Sequence, residues 1–222
     1  MNGASKQSTA PTSASVAKRV RAHVLGVAPG EPFSVRELLA LGSRASVDQA
    51  LSRMARNGEI ERVARGLYAR PRVNETLGRT IPVEPEKVVA AIARASGAKL
   101  NVHGAEAARR FGLTTQVPMR QVYTTSGRSR RVHLRTGDVT LLHAAPSRME
   151  LAGTPAGEAL SALLYLGKKE VTPAVVERVK SALPKAEFAR LRSATTSMPA
   201  WLSDSLYKAS GTRPAPTALL TA

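Results

Sequence analysis

Hydrophobic residues recur three or four positions apart near the start of the chain. This spacing predicts a first helix whose buried stripe comprises Val16, Val20, Val24 and Leu25. Pro29 and Gly30 end that pattern. A capping box at residues 34–37, Ser-Val-Arg-Glu, then predicts a second, short helix that stops at Gly42.

A third helix is predicted between Ser43 and Gly58. Its apolar stripe comprises Val47, Ala50, Leu51 and Met54. At about 100° per residue, the opposite face carries polar side chains, namely Ser46, Gln49, Arg53 and Arg56. Two starts remain open. A capping box from Ser46 would turn Gln49 back to the backbone, whereas a start at Ser43 leaves Gln49 free and puts Arg44 in the first turn.

The period changes after Gly58, where EIERVARGLYARP predicts two short strands joined at residues 64–66. Gly66 suits the turn because glycine adopts a positive φ without strain. Three helices followed by a basic hairpin predict a winged helix-turn-helix. In that module the third helix enters the major groove of DNA, and the hairpin follows the backbone or the minor groove.

This interpretation nominates a set of DNA-binding residues. Arginine binds guanine O6 and N7 with two hydrogen bonds, and glutamine does the same for adenine. Arg65 at the hairpin tip is expected to contact phosphate or a narrow minor groove. The predicted DNA-binding residues are Ser43, Arg44, Ser46, Gln49, Arg53, Arg56 and Arg65.

The rest of the chain predicts a mixed domain. A helix within PEKVVAAIARASG, a strand at KLNVHG and a helix at AEAARRFG precede three strand patterns, RQVYTT, RRVHLRTG and VTLLHA. Glycines between these strands favour an antiparallel meander. Four helices follow, each with a proline at or near its start: Pro155, Pro173, Pro184 and Pro199.

The expected fold class is therefore α+β, a winged helix followed by a domain with a small antiparallel sheet and C-terminal helices. Prolines flank a segment with little apolar pattern, which we interpret as a linker. The predicted boundaries are a disordered leader at 1–14, the winged helix at 15–72, the linker at 73–83, the second domain at 84–210 and a flexible tail at 211–222.

Charge narrows the class of partner. The chain carries 33 Lys and Arg against 16 Asp and Glu, a formal net charge of +17. Such a field favours polyanions, meaning nucleic acid or an anionic membrane surface. Cysteine is absent, which fits a reducing compartment. No stretch approaches the ~20 apolar residues of a membrane span, so a cytoplasmic protein without membrane contact is expected.

A second basic cluster lies in the predicted sheet. A solvated sheet face, a second nucleic-acid contact and a partner-docking face are all open interpretations. Its residues are Arg128, Arg130, Arg131, His133 and Arg135.

Catalytic and cofactor motifs are weak throughout the sequence. His103 and His143 lack further ligands at metal-binding spacing, and Gly167-Lys168-Lys169 lacks the rest of a phosphate loop. We expect no metal, no cofactor and no enzymatic activity.

Three runs resemble one known family. DQALSRMARNGEIERVARGLYARP is similar to the N-terminal winged helix of AbiEi-type antitoxins of type IV toxin–antitoxin operons. HGAEAARRFGLTTQVPMRQVYTTSG and SRRVHLRTGDVTLLHA resemble the core of that family's C-terminal domain, so the resemblance covers roughly residues 43–145. It implies an autorepressor that binds double-stranded DNA at its own promoter and neutralises a nucleotidyltransferase-like toxin.

Two other functions stay open. One is a winged-helix regulator whose C-terminal half senses a ligand or forms a dimer, without a toxin. The other is an RNA-binding protein that uses the basic sheet. The sequence does not fix the stoichiometry on DNA, and a homodimer is one alternative.

Overall fold

The computed structural model describes residues 13–209, and these form an α+β protein. The predicted leader lies outside the described residues except for positions 13 and 14, which begin the first helix. The predicted tail at 211–222 lies wholly outside them. Within residues 13–209, every helix is too short or too polar to cross a bilayer.

The described residues divide into two compact units. The first runs to Gly97 and also includes His133–Gly137, and the second comprises Ala98–Val132 and the chain from Asp138 onward.

The first unit alternates helices with short strands. In chain order its elements are α1 (Ser13–Gly26), β1 (Pro32–Ser34), a 3₁₀ helix (Val35–Leu41), α2 (Arg44–Arg56), β2 (Glu61–Ala64), β3 (Leu67–Ala69), β4 (Arg72–Asn74), β5 (Arg79–Ile81) and α3 (Pro85–Ser96). Strands β1, β3 and β2 form an antiparallel sheet in that order, so β3 is central.

The predicted capping box forms at the start of the 3₁₀ helix. The Ser34 hydroxyl accepts from the Arg36 amide at 3.0 Å, and the Ser34 amide donates to the Glu37 carboxylate at 3.3 Å. The predicted short helix is thus present, in the tighter 3₁₀ form.

The predicted stripe of α1 is confirmed at three positions out of four. Val16, Val20 and Val24 are buried with the stripe of α2 in one hydrophobic cluster. Leu25, however, is 55% exposed. Val16, Val20 and Val24 are spaced four residues apart and form the buried stripe. Leu25 follows Val24 directly, so its side chain points about 100° away from that stripe.

The sheet of the first unit is covered on both faces. Phe33 and Tyr68 stack with ring centroids 6.3 Å apart on the face that meets the α1–α2 cluster. Leu67 and Ala69 point to the opposite face and pack in a cluster with Val88 of α3.

Helix α3 is also hydrogen-bonded to the start of this sheet region. Arg94 donates to the Pro32 carbonyl at 3.1 Å, and Arg36 donates to the Ala95 carbonyl at 3.2 Å. The predicted boundary, which assigned α3 to the second domain, therefore differs from the structure. The reason is that α3 covers apolar side chains of β3 that would otherwise face water.

The predicted linker at 73–83 contains a hairpin instead of plain connecting chain. Strands β4 and β5 pair antiparallel, with Val73 opposite Thr80. The Leu77 amide donates to the Asn74 side chain at 3.0 Å, and Gly78 has φ 58°. Most residues of this hairpin are exposed, which explains why its sequence lacks an apolar pattern.

The second unit combines a four-stranded sheet with helices. Its elements are β6 (Leu100–Val102), α4 (Gly104–Arg110), β7 (Gln121–Thr125), β8 (Arg130–Leu134, of which the last two residues belong to the first unit), β9 (Gly137–His143, of which the first residue belongs to the first unit), α5 (Pro155–Leu166), α6 (Pro173–Ala182), α7 (Lys185–Ser193) and α8 (Ala200–Lys208). Short 3₁₀ helices occupy Pro146–Met149 and Thr195–Ser197.

The expected antiparallel meander is wrong. The strand order is β6-β7-β9-β8, and β7 pairs parallel with β9 while it pairs antiparallel with β6. Strand β8, which lies between β7 and β9 in sequence, occupies the edge. Alternation within a strand reports its buried face and not its neighbours, so the sequence pattern fits either order.

The four C-terminal helices confirm the proline signals. Pro155 and Pro173 occupy the first turns of α5 and α6, and Pro184 and Pro199 precede α7 and α8. These helices share one apolar cluster, whose fully buried members include Leu163, Leu191, Leu202 and Leu206.

Candidate nucleic-acid interface

The first turn of α2 settles where that helix begins. Ser43 is the N-cap, and its hydroxyl accepts from the Ser46 amide at 3.3 Å and contacts the Ser46 hydroxyl at 2.9 Å. The alternative capping box from Ser46 to Gln49 does not form. Gln49 is consequently an exposed side chain in the helix body, free of a capping role.

Helix α2 buries its predicted stripe and exposes three of the four residues of its predicted polar face, while Ser46 is half-buried. Gln49, Arg53 and Arg56 are exposed, and they fall within about 60° of one another round the axis. Arg56 is tethered, since its Nε donates to the Ser52 carbonyl at 3.4 Å. Within residues 13–209, no ion pair or hydrogen bond engages the Arg53 guanidinium.

Arg44 does not share this face. Nine residues separate it from Arg53, so the two lie about 180° apart round the axis. Its Nε donates to Oδ2 of Asp48 at 2.7 Å, one helical turn further on. The structure therefore divides the predicted α2 residues between a central exposed face and a flank at the first turn.

The β2–β3 hairpin presents Arg65 at its tip. The turn closes through Gly66, which has φ 73°, and the Gly66 carbonyl accepts from the Val35 amide at 3.1 Å. This bond attaches the turn to the start of the 3₁₀ helix. Arg65 itself is exposed and engages no partner within the described part of the chain.

Arg62 is a residue of this surface that sequence reasoning missed. It is exposed on the edge strand β2, directly opposite Tyr68 on β3. It therefore lies on the face of the sheet that meets the α1–α2 cluster. Side chains alternate between the two faces of a strand, so Arg62 and Glu61 in ERVA point to opposite faces. This alternation could have identified Arg62 from the sequence.

Gly42, the residue before the N-cap of α2, lies very close to α1. A Cβ built on Gly42 would lie 2.7 Å from both γ-carbons of Val16. No larger residue fits there without displacing α1, so Gly42 lets the two helices pack closely.

Several other cations of the first unit are engaged internally. Arg70 donates to the carbonyls of Leu25 and Val27, each at 3.0 Å. Arg21 pairs with Glu59 at 3.0 Å. These contacts leave Arg53, Arg62 and Arg65 as exposed, unpaired cations on α2 and the adjoining hairpin, among the residues described.

The second predicted basic cluster is not uniform. Arg128, Arg130 and Arg131 are exposed, and none engages a partner within residues 13–209. His133 is exposed and Arg135 belongs to the first unit, where it pairs with Glu61 at 3.4 Å. Three of the five side chains, those of Arg128, Arg130 and Arg131, are therefore exposed and unengaged in the second unit, within and just before β8.

The two histidines at strand ends have structural partners. Nδ1 of His103 accepts from the Ala105 amide at 3.3 Å and caps α4, and burial lowers the His103 pKa, which favours this neutral acceptor form. Nδ1 of His143 contacts the Gly127 carbonyl at 2.9 Å. Over residues 13–209, no three His, Asp or Glu side chains gather in a way that would hold a metal ion.

Comparison with known proteins relates the chain to one family. Residues 16–191 match a family described as a family of unknown function (DUF6088). The crystal structure of the RV2827C protein from Mycobacterium tuberculosis is 16% identical, and the match covers 94% of this chain and 84% of that one with a TM-score of 0.37. No curated protein matches the chain.

Proposed function

We propose that this chain, which belongs to the DUF6088 family of unknown function, is a sequence-specific DNA-binding repressor of its own promoter. The observation that carries the proposal is the exposed face of α2, which bears Gln49 and Arg53, together with the exposed arginines Arg62 and Arg65 of the hairpin that follows α2 in the chain. These are the side-chain types that bind bases and phosphates.

A winged-helix interpretation of the first unit supports this proposal. A strand precedes the second helical segment, two strands follow α2, and the sheet order is β1-β3-β2. In such modules the helix before the hairpin is the one that enters the major groove. Helix α2 directly precedes the β2–β3 hairpin, and its apolar stripe is buried in the core of the first unit.

The exposed groups suggest a division of roles. Gln49 and Arg53 lie on the central face of α2 and would contact base edges, with Arg53 on guanine and Gln49 on adenine. Arg62 and Arg65 lie on the hairpin and would neutralise phosphate or enter a narrow minor groove. Ser43 and Ser46, which bond to each other, would contact the backbone at the helix start.

We also propose a partner, on the basis of the resemblance to AbiEi-type antitoxins over roughly residues 43–145. The partner would be a nucleotidyltransferase-like toxin encoded beside this gene. The candidate surface for it comprises Arg128, just before β8, and Arg130 and Arg131 in β8, because these side chains are exposed and unengaged within the described residues.

The direct test measures binding of the full chain to duplex DNA from upstream of its own gene. We expect a footprint on one segment, called the operator below, and tighter binding to it than to a scrambled duplex of equal length. With about 6–10 phosphate contacts, affinity should fall about 10³–10⁵-fold between 50 and 200 mM salt. Fluorescence anisotropy with both duplexes at several salt concentrations measures the preference for the operator and the salt dependence of the affinity.

A scrambled duplex bound as tightly as the operator at physiological salt would exclude a specific repressor. Tighter binding to a structured RNA of matched length than to the duplex would favour an RNA-binding function instead. A promoter fusion measured with and without the protein then tests repression in cells.

A further inference from the structure

The ion pair between Arg44 and Asp48 joins the first two turns of α2, and the N-terminal residues of a recognition helix are those that contact base edges. We propose that Asp48 is a specificity-determining residue that positions Arg44 to read a guanine in the operator. This inference rests on the proposed DNA-binding function and adds a base and a residue pair to it.

The helix geometry explains why Arg44 needs positioning. Arg44 comes seven residues before Leu51, so it lies within about 20° of that buried side chain round the axis. Asp48 lies about 60° from Leu51, on its exposed side. The bond of 2.7 Å between Nε of Arg44 and Oδ2 of Asp48 therefore draws the guanidinium away from the buried stripe and toward the exposed face.

The same bond selects which donors remain for a base. Nε is occupied by the carboxylate, and the terminal nitrogens Nη1 and Nη2 remain for other acceptors. Their outward N–H groups run side by side and match the O6 and N7 acceptors of guanine. An arginine fixed in this way loses less conformational freedom when it binds, which sharpens the preference for guanine.

Stability of the fold does not account for the pair. The side chains of Arg44 and Asp48 are 62% and 49% exposed, and exposed ion pairs contribute little to folding. A carboxylate at this place also repels the phosphates of any duplex. Asp48 should therefore weaken binding to unrelated DNA while it strengthens the choice of base.

The test uses the full chain and Asp48→Ala. Affinities are measured for the operator, for operators in which each guanine in turn is replaced by adenine, and for the scrambled duplex. For the wild type we expect one guanine whose replacement costs about tenfold and depends on Arg44. In Asp48→Ala that cost should fall to about twofold, while affinity for the scrambled duplex rises about threefold as a negative charge is lost.

Three variants make this result specific. Asp48→Glu retains a carboxylate at the same spacing and should restore most of the guanine preference. Asp48→Ala in an Arg44→Ala background should cause no further loss at that guanine. Glu75→Ala removes the same charge from the exposed turn between β4 and β5, and it should leave every guanine preference intact.

Two outcomes would contradict the inference in different ways. If Asp48→Ala retains the cost at every guanine, Asp48 does not position Arg44, and the proposed function survives. If the wild type fails to prefer the operator to the scrambled duplex, the proposed function itself is wrong. Thermal unfolding of each variant checks that the fold is retained.

Discussion

Arginines of the first unit differ in what holds each guanidinium, and this difference decides which of them would be available to DNA under the proposed function. Arg36, Arg70 and Arg94 donate to backbone carbonyls and so connect distant segments of the first unit. Arg53 and Arg65 have no partner within the described residues. Net charge therefore overstates the number of arginines that a phosphate or a base meets.

A pair of single substitutions should separate base reading from backbone contact. Arg53→Ala should cost about 1–3 kcal/mol of operator binding and relax preference at one base position, because Arg53 lies on the central face of α2. Arg65→Ala should weaken binding to all duplexes alike, unless the tip enters an A·T minor groove. Competition assays with single-base operator variants measure both effects.

Lys169→Ala is the matched control for these two variants, since it removes one positive charge from an exposed position of the second unit. It should change affinity little and sequence preference not at all. Unchanged base preference in Arg53→Ala would contradict the assignment and leave Arg44 as the principal base-reading arginine.

For individual residues, the sequence predicted which side chains of α2 are exposed but not which groups those side chains contact. The polar face of α2 follows from helical periodicity, and Gln49 and Arg53 are exposed as expected. Periodicity also gives Arg44 and Arg53 a separation of about 180°, but it says nothing about the carboxylate that Arg44 binds. That contact depends on where α2 starts, which the sequence left open between Ser43 and Ser46.

Among the elements, the packing between α1 and the start of α2 requires a small residue at one position, Gly42. Gly42 has an extended backbone, with φ 169° and ψ −176°, so its identity is not required by conformation. It is required by space, because a Cβ there would meet the stiff, fully buried Val16 side chain. The sequence predicted Gly42 as a helix end and missed this packing role.

This packing predicts a compensating pair of substitutions. Gly42→Ala should destabilise the first unit by about 1–3 kcal/mol because the added methyl group overlaps Val16. Val16→Ala alone should also destabilise it, since it leaves a cavity. The double variant should be clearly more stable than the sum of the two losses predicts, as measured by denaturant unfolding in a double-mutant cycle.

Gly66→Ala is the contrasting variant for that cycle. Nothing lies within 4 Å of a Cβ at Gly66, but its φ of 73° disfavours any side chain. Its cost, about 1 kcal/mol, should therefore be unaffected by Val16→Ala. Strict additivity of Gly42→Ala and Val16→Ala would show that the close approach does not determine the packing of α1 on α2.

The sequence pattern predicted most strands but not how the strands pair. Strands β7 and β9 were both predicted, within RQVYTT and VTLLHA. Their parallel pairing was not, because β8 intervenes in sequence and lies at the sheet edge. The hairpin β4–β5 was missed for another reason, since it is exposed and carries no buried stripe.

For the whole molecule, the chain passes between the two units more than once. It leaves the first unit at Gly97, returns for His133–Gly137 and then completes the second unit. Within His133–Gly137, Leu134 packs against the apolar cluster that β3 and α3 form, and Arg135 pairs with Glu61. A cut at residue 84 would remove α3 and this segment from the first unit, so separation of functions is better tested in the full chain.

Two full-length variants should separate repression from relief of toxicity, if both proposed functions hold. Reversal of Arg130 and Arg131 to glutamate should impair relief of the neighbouring toxin and leave repression intact, since these exposed side chains belong to the second unit. Arg53→Ala should do the opposite. Arg135 is left unchanged because it belongs to the first unit, where it pairs with Glu61.

Growth and promoter activity are read in the same cells, with the toxin co-expressed. Reversal of Lys168 and Lys169 to glutamate changes the net charge by the same amount at another exposed site of the second unit, and it should affect neither readout. Full relief by the Arg130 and Arg131 reversal would remove β8 as the toxin-binding surface. Loss of relief in Arg53→Ala would mean that DNA and toxin compete for α2, because one exposed face would then serve both partners.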